Sequence, residues 1–376
     1  MSTGIVCEFN PFHNGHKYLI DRAKEETGEK VVCAMSGNFV QRGEWAFADK
    51  FLRAKWAVDS GADLVFENPF PFSCATAEVF AKSAVSVLAK SGCDSLAFGV
   101  EDENVTPADL AELARILLDE KVCKAIIGIQ KENKNIGYAV ARSLCVSEKY
   151  GEKYAALLSY PNSLLAVEYA KAIAFFGYDM RMIAVGRKGA GHDGKPCGEF
   201  ASGSFLRENF SKENIKNYCP ETVAENGDVS RATDEKILYS ALCARIFSMG
   251  ETELSEIAEL PAEYAQKLVR KACECANYGE FFNALRAKHM TDAKIRRMLI
   301  YLLAGVKKKD LSHFPDATNL LAFSEDGAKL LRKIKKENTD FTVLSKISDM
   351  KKLCEKDKAV FEKQLLVEKL FERMSV

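Results

Sequence analysis

Short apolar runs and helical patterns alternate through about the first 200 residues. The apolar runs are bounded by turn residues and predict strands at residues 4–9, 30–35, 63–67, 95–99 and 180–185. Between them, apolar residues recur with the helical period, most regularly at Val79, Phe80, Ser83, Ala84, Val87 and Leu88. Strands that alternate with helices in this way predict an α/β fold with a parallel sheet covered on both faces.

The pattern changes after residue 226, where successive helices are predicted at residues 233–249, 261–277, 278–285 and 292–304. Beyond residue 320 the chain is mixed again, with a helix at 326–336, an apolar run at 341–344 and a final amphipathic helix. We therefore predict an α/β domain over residues 1–215, a mainly helical domain over 220–320 and a C-terminal α/β tail over 321–376.

The 376-residue chain has 53 basic and 53 acidic residues, and 47% of its residues are hydrophobic. That hydrophobic fraction excludes whole-chain disorder, and the balanced charge requires any nucleic-acid surface to be a local patch. The twelve cysteines show no zinc-ligand spacing, and residues 1–20 carry no secretory signal. We expect reduced cysteines, no metal site and a cytoplasmic protein. No apolar run is long enough to span a bilayer, so we expect no membrane contact.

The segment Asn10-Pro11-Phe12-His13-Asn14-Gly15-His16 joins the first predicted strand to the first predicted helix. Gly15 allows a close backbone approach, and the helix start offers free N–H groups at the positive end of the helix dipole. His13 and His16 lie one helical turn apart and point the same way, so both can donate hydrogen bonds to phosphate oxygens. The segment predicts a phosphate site with these two histidines as catalytic residues. The alternative is an ordinary turn with two solvated histidines.

A local excess of positive charge marks residues 286–309. This stretch contains one acidic residue, Asp292. Its eight basic residues are Arg286, Lys288, Lys294, Arg296, Arg297, Lys307, Lys308 and Lys309. Phosphate contacts with RNA need such a patch even in a neutral chain, so this stretch predicts an RNA-binding surface. The alternative is a solvated helix face.

The segment His13-Asn14-Gly15-His16 resembles the HxGH signature of the nucleotidylyltransferase superfamily, whose Rossmann-like fold binds ATP at that helix start. Four blocks narrow the resemblance to the tRNA(Met) cytidine acetate ligase family of bacteria, at residues 8–16, 35–44, 98–101 and 161–162. The resemblance implies an enzyme that makes acetyl-adenylate from acetate and ATP, with Mg²⁺. It would then acetylate N4 of the wobble cytidine of elongator tRNA(Met), which the helical domain would bind.

The resemblance also implies, by position, a set of ATP-binding residues at the carboxyl edge of the sheet. They are Cys7, Glu8, Phe9, Asn10, Pro11, Phe12, His13, Asn14, Gly15, His16, Lys17, Tyr18, Leu19, Ile20, Gly99, Asn162, Arg187, Ser204 and Arg207. Gly99 ends the fourth predicted strand, Asn162 begins a helix, and Arg187 follows the fifth strand, at the edge where open α/β sheets bind ligands. Each of these three residues also has an ordinary interpretation, which stays open. Gly99 can be a strand-ending turn, Asn162 a plain helix cap and Arg187 a solvated surface residue.

Two further segments are predicted near this edge. Ser204 and Arg207 loosely match a serine-rich helix start followed by an arginine, which holds the β- and γ-phosphates in superfamily relatives. The alternative is a serine N-cap with an exposed arginine. Gln41, Arg42 and Glu44 are predicted to form a mobile flap over the site, or else a solvated loop.

Two other functions stay open from the residues alone: a nucleotidylyltransferase that adenylates a small metabolite, and a non-catalytic module that binds nucleotide and RNA. No carboxylate cluster indicates a protein-built metal site, so magnesium is expected to be held by phosphates and water. The pair His192-Asp193 is interpreted as part of an ordinary loop rather than as a base or a magnesium site. The sequence indicates neither the acetate pocket nor the oligomeric state.

Overall fold

The computed structural model describes residues 1–133, 136–188, 195–225, 232–288 and 290–375. Strands alternate with helices in the first part of the chain, as the hydrophobic pattern predicts. The elements there are β1 (Ser2–Cys7), α1 (Asn14–Thr27), β2 (Lys30–Ser36), β3 (Phe39–Val40), β4 (Glu44–Trp45), α2 (Lys50–Asp59), β5 (Leu64–Asn68), α3 (Ala77–Lys90), β6 (Ser95–Val100), α4 (Pro107–Leu118), α5 (Glu120–Glu132), α6 (Tyr138–Tyr150), α7 (Glu152–Leu157), α8 (Pro161–Phe176), β7 (Arg181–Gly186), α9 (Gly203–Glu208), α10 (Lys212–Tyr218) and α11 (Glu221–Ala224).

The rest of the chain is helical and then mixed. Its elements are α12 (Glu235–Ser248), α13 (Glu251–Ser255), α14 (Tyr264–Glu274), α15 (Tyr278–Leu285), α16 (Asp292–Ala304), β8 (Ala317–Phe323), α17 (Glu325–Glu337), β9 (Thr342–Leu344) and α18 (Glu355–Met374). None of the described helices combines the length and the apolarity needed to cross a bilayer.

Within the described residues, seven strands form one sheet in the order β7-β6-β1-β2-β5-β8-β9. Neighbouring strands are parallel except β5 and β8, which run antiparallel. Helices α1 and α2 pack on one face of the sheet, and helices α3 and α8 pack on the other. The predicted α/β fold is confirmed, and the parallel strands bring their carboxyl ends to one edge.

Strand β8 is absent from the sequence-based prediction. Its residues alternate poorly between buried and half-exposed positions, and its Leu64–Phe323 pairing with β5 joins distant parts of the chain. Neither feature produces a local strand signal. The predicted boundary between residues 320 and 321 lies inside β8, so the C-terminal tail continues the main sheet.

The helices α12, α14, α15 and α16 pack around a second hydrophobic core. This core also contains Phe39 and Phe70 from the α/β part, and Phe371 from the last helix. Trp45 of the β3–β4 hairpin stacks on Phe371, with ring centroids 5.3 Å apart. The helical part therefore shares a continuous core with the α/β part at this hairpin.

A buried ion cluster joins the last helix to the edge of the sheet. The Lys50 Nζ atom lies 3.0 Å from Glu67 Oε1 and 2.8 Å from Glu368 Oε1. The Asn319 amide donates to the other oxygen of Glu67 at 2.6 Å. Burial raises the pKa of Glu368 to about 7, although the charge of Lys50 acts to lower it. The cluster thereby fixes α2, β5 and α18 to one another.

Candidate active site

A cleft of about 490 Å³ opens where β1, β6 and β7 end and α1 begins. The residues of the predicted ATP set that line it are Cys7, Glu8, Phe9, Asn10, His13, Gly15, His16, Tyr18, Leu19, Gly99, Asn162, Arg187, Ser204 and Arg207. Open α/β sheets bind ligands at this edge, outside the carboxyl ends of the strands. The structure thus gathers residues from both ends of the α/β domain around one space.

The remaining predicted ATP residues lie outside the lining of the cleft, and they are Pro11, Phe12, Asn14, Lys17 and Ile20. Phe12 and Ile20 are fully buried in the hydrophobic core. Lys17 pairs with Asp21 at 2.7 Å on the surface, and the Asn14 amide donates to the Glu199 carbonyl at 2.9 Å. A continuous range carried over by position ignores the helical period, which turns Lys17 and Ile20 of α1 away from the cleft.

Each of the two histidines is held by a backbone N–H group that donates to its Nδ1 atom. The Gly15 N–H donates to His13 Nδ1 at 3.1 Å, and the His13 N–H donates to His16 Nδ1 at 3.3 Å. Because each Nδ1 is an acceptor, the proton of each neutral imidazole lies on Nε2. The rings stack with centroids 3.7 Å apart, so the two side chains form one rigid unit.

Both imidazoles stay uncharged. Burial, and then the charges of Arg187 and Arg207, lower the pKa of His13 to about 3. Burial, His13 and Arg187 hold the pKa of His16 well below its usual value. At neutral pH the pair therefore offers two neutral N–H donors, which suit phosphoryl oxygens on which charge develops in a transition state.

Two arginines supply the positive charge of the cleft. Arg207 donates to the Asn10 carbonyl at 2.6 Å and to Ser204 Oγ at 3.3 Å, so it faces the histidine loop instead of standing exposed. Arg187 approaches Gly99 closely, because a Cβ at Gly99 would lie 3.3 Å from Arg187 Cγ. The strand-ending glycine thus leaves room for the arginine stem. Both guanidiniums suit the oxygens of a polyphosphate.

A buried arginine that the sequence analysis did not identify organises the floor of the cleft. Arg53 is fully buried and donates to the carbonyls of Ala48 at 2.9 Å and Ser36 at 3.1 Å. It also donates to the carbonyls of Glu8 and Gly37. Burial lowers the pKa of Arg53 to about 10, so it stays charged. One guanidinium therefore fixes the carboxyl ends of β1 and β2 together.

Asn162 is positioned by a carboxylate from another loop. Its backbone N–H and side-chain amide donate to Glu101 Oε1 at 2.8 and 2.7 Å, and the N–H and hydroxyl of Ser163 donate to Glu101 Oε2. Burial acts to raise the pKa of Glu101, but these hydrogen bonds outweigh it and lower the pKa. Glu101, and not Asn162, caps α8. The interpretation of Asn162 as a plain helix cap is wrong.

Gln41, Arg42 and Glu44, which are predicted to form a flap or a solvated loop, line the cleft. The Gln41 N–H donates to Glu8 Oε1 at 2.8 Å. Gly43 has a positive φ of 73°, and a Cβ there would lie 2.5 Å from the Arg297 backbone nitrogen. Glu44 pairs with Arg296 at 3.2 Å. The segment therefore touches both the cleft and helix α16, which no local sequence signal indicates.

The predicted RNA-binding residues differ in how freely they face solvent. Arg297 has only 12% of its side chain exposed and binds Glu259 at 2.7 Å, so it is a structural residue. Arg286, Lys307 and Lys308 have protein partners at 2.7 Å, which are Asp292, Glu256 and the Ser255 carbonyl. Lys288 and Lys294 make no ion pair with any residue that the structure describes. Among the described residues Lys309 also lacks an ion pair, and it is exposed like Lys288, whereas Lys294 is half-buried.

The described part of the chain has no group of three His, Cys, Asp or Glu side chains placed to hold a metal ion. The pair His192-Asp193 lies outside the described residues, and so does His289 in the basic stretch. The twelve cysteines are all unpaired thiols, and half of them are buried.

The chain is similar to known proteins over nearly its whole length. A family model described as HIGH Nucleotidyl Transferase matches residues 1–375. The tRNA(Met) cytidine acetate ligase of Streptococcus sanguinis is 34% identical over 89% of this chain and 86% of its own. The enzyme of the same name from a Thermoanaerobacter species is 32% identical over 98% of this chain and 94% of its own.

A solved structure extends this likeness to the fold. Thermotoga maritima TmcAL bound with alpha-thio ATP superposes with a TM-score of 0.84 and 26% identity, over 98% of this chain and 92% of its own. Its apo form gives a TM-score of 0.85 and 25% identity. The chain belongs to the HIGH nucleotidyl transferases and, within them, to the tRNA(Met) cytidine acetate ligases.

Proposed function

We propose that this protein activates acetate with ATP as acetyl-adenylate and transfers the acetyl group to N4 of the wobble cytidine of elongator tRNA(Met), in the cytoplasm. The observation that carries the proposal is the pair of neutral Nε2 donors of His13 and His16 beside Arg187 and Arg207, in a chain of this family. Such an arrangement recognises a polyphosphate and stabilises its transition state.

The first step is attack of an acetate oxygen on the α-phosphorus of ATP, with pyrophosphate leaving. The imidazole N–H groups of His13 and His16 donate to the phosphoryl oxygens as negative charge builds up there. Arg187 and Arg207 offset the charge of the leaving pyrophosphate. Because the imidazoles are neutral and rigidly held, they need no reorganisation during the step.

The second step is attack of the cytidine N4 amine on the carbonyl carbon of the mixed anhydride, with AMP leaving. The flap from Gln41 to Glu44 lies between the cleft and α16, where RNA would approach. Its position suits the exclusion of water from the anhydride before the amine arrives. Mg²⁺ neutralises phosphate charge when it is bound. Since no protein-built metal site is described, we propose that it arrives with the triphosphate.

The decisive experiment follows the label of α-labelled ATP in a reaction with acetate and tRNA. We expect the label in free AMP and the acetyl group on the RNA, detected as N4-acetylcytidine by mass spectrometry of its nucleosides. Label in a stable adenylylated metabolite would instead indicate a metabolite nucleotidylyltransferase. Binding of ATP and tRNA without any product would indicate a non-catalytic module.

Lys288 and Lys294 test the RNA surface, because their replacement breaks no ion pair among the described residues. Replacing Lys288 and Lys294 together by Gln is expected to weaken tRNA binding, and to reduce the slope of log K against log salt by roughly 1 to 2, since fewer counterions are released. ATP affinity should not change. The matched control replaces the exposed Lys121 and Lys131 of α5 by Gln. Equal salt slopes in the two double variants would place the RNA surface elsewhere.

Arg296 and Arg297 are less suitable for that test. Arg297 is buried against Glu259, and Arg296 holds the flap through Glu44. Their replacement would disturb the ATP cleft as well as any RNA contact. The two sites are therefore not independent, although they belong to different parts of the chain.

A further inference from the structure

One wall of the cleft is apolar, and the proposed chemistry of the phosphates leaves it unexplained. It lies on the face of the sheet covered by α3 and α8, whereas α1 packs on the other face. Its members are Val6, Ala77, Phe80, Phe98, Leu165 and Tyr169. Phe80 and Phe98 are only 2% and 4% exposed and belong to the main hydrophobic core. The core therefore reaches the cleft at this wall.

A polar atom without a partner lies within this wall. The Tyr169 side chain is 5% exposed, and its hydroxyl makes no hydrogen bond with any residue that the structure describes. Burial raises the pKa of the Tyr169 phenol far above its usual range, and Cys7 and Glu8 act in the same direction. The hydroxyl is therefore a protonated donor. Since it is not one of the fully enclosed unpaired polar atoms of the described residues, it opens onto the cleft, where it can donate to a ligand.

Resting on the proposed function, we infer that the apolar wall is the acetate subsite and that the Tyr169 hydroxyl donates a hydrogen bond to one carboxylate oxygen of acetate. The methyl group then packs against Val6, Phe80 and Phe98. The other carboxylate oxygen points towards the histidines, where it attacks the α-phosphorus as the bond to pyrophosphate breaks. Tyr169 keeps its proton throughout and acts as a substrate-binding residue.

The charge around the wall permits a carboxylate ligand. Glu8 is the nearest acidic group, and the guanidiniums of Arg207, Arg53 and Arg42 act on it. Burial raises the pKa of Glu8 despite these charges. The three guanidiniums offset the repulsion between the Glu8 carboxylate and an acetate ion at the wall.

The two phenylalanines also limit the length of the acyl chain. Because they are almost completely buried, the wall cannot yield to an added methylene without displacing the core. A hydrophobic pocket of this kind discriminates one methylene by about 10- to 200-fold. We therefore expect acetate to be preferred to propionate at the activation step.

The test measures acetate-dependent exchange of labelled pyrophosphate into ATP. Tyr169→Phe removes only the hydroxyl and is expected to raise the KM for acetate by roughly 10- to 100-fold, the effect of losing a hydrogen bond to a charged group. The KM for ATP should stay within about twofold, and thermal stability should not fall. The matched control is Tyr178→Phe, because the Tyr178 hydroxyl is paired with Ser86 at 3.2 Å and lies outside the cleft lining.

Phe80→Leu gives a second readout that does not depend on the hydroxyl. This variant should raise kcat/KM for propionate, relative to kcat/KM for acetate, by about tenfold. An unchanged acetate KM in Tyr169→Phe would overturn the inference. So would a rise in the KM for ATP alone, which would assign the wall to the adenine base. If the wild-type protein showed no acetate-dependent exchange at all, the proposed function itself would fail.

Discussion

Replacing His16 by Ala is expected to lower the rate of adenylate formation by about 10² or more, the usual effect of losing one preorganised donor. His16 offers a neutral Nε2–H because its Nδ1 accepts the His13 N–H. The variant should fold, since His16 lies at a half-buried helix start and outside the hydrophobic core. Pyrophosphate exchange at saturating ATP and acetate measures the effect.

A second variant distinguishes neutral donation from charge. His16→Gln keeps an uncharged N–H donor at a similar distance, so it should recover part of the activity that His16→Ala loses. The loss in His16→Ala should be the same at pH 6 and pH 8, because the pKa of His16 lies well below its usual value. A loss that grew towards pH 6 would show that the protonated imidazole is the active form.

Lys50→Met is expected to lower the free energy of unfolding by about 3–5 kcal/mol, the usual cost of removing one partner of a buried ion pair. The variant leaves the carboxylates of Glu67 and Glu368 together without a cation. Lys55→Met is the matched control on the same helix, because its pair with Asp59 is exposed and contributes about 0–1 kcal/mol. Urea denaturation of the three proteins measures the difference.

The deficit of Lys50→Met should also depend on pH. In the folded protein the pKa of Glu368 is raised to about 7. At pH values between the ordinary pKa of Glu and about 7, the folded protein therefore binds more protons than the unfolded chain does. Stability from this group is therefore present at low pH and lost as the pH rises through about 7. Without Lys50 the carboxyl gains more from protonation, so the deficit should be smaller at pH 5.5 than at pH 8. An equal deficit at both values would contradict this account of the cluster.

The sequence is informative where one local signal decides the structure. Apolar runs between turn residues indicate β1, β2, β5, β6 and β7, because parallel strands buried on both faces are continuously apolar. The spacing of His13 and His16 indicates their common direction, because both lie in the first turn of one helix. Their tautomer and their low pKa values follow only from the folded loop, which supplies the backbone donors and the burial.

The rest depends on contacts between distant parts of the chain. Arg53 looks like an ordinary helix residue until the carbonyl groups of two strand ends surround it. Glu101 caps a helix that begins sixty residues later. Tyr169 lies on a uniformly apolar helix face, and only the shape of the cleft shows that its hydroxyl lacks a partner. The exposure of Lys288 and the burial of Arg297 are equally invisible in a run of basic residues.

The antiparallel pairing of β5 with β8 has a consequence for synthesis of the chain. Leu64 pairs with Phe323, so β5 leaves the ribosome long before the strand that covers its free edge. At translation rates of about 5–20 residues per second, that edge stays unpaired for on the order of 10 to 50 s. An unpaired, apolar edge of this kind invites association with other nascent chains. The nascent protein should therefore depend on a chaperone that shields β5, and the dependence should end once β8, which ends at Phe323, has emerged.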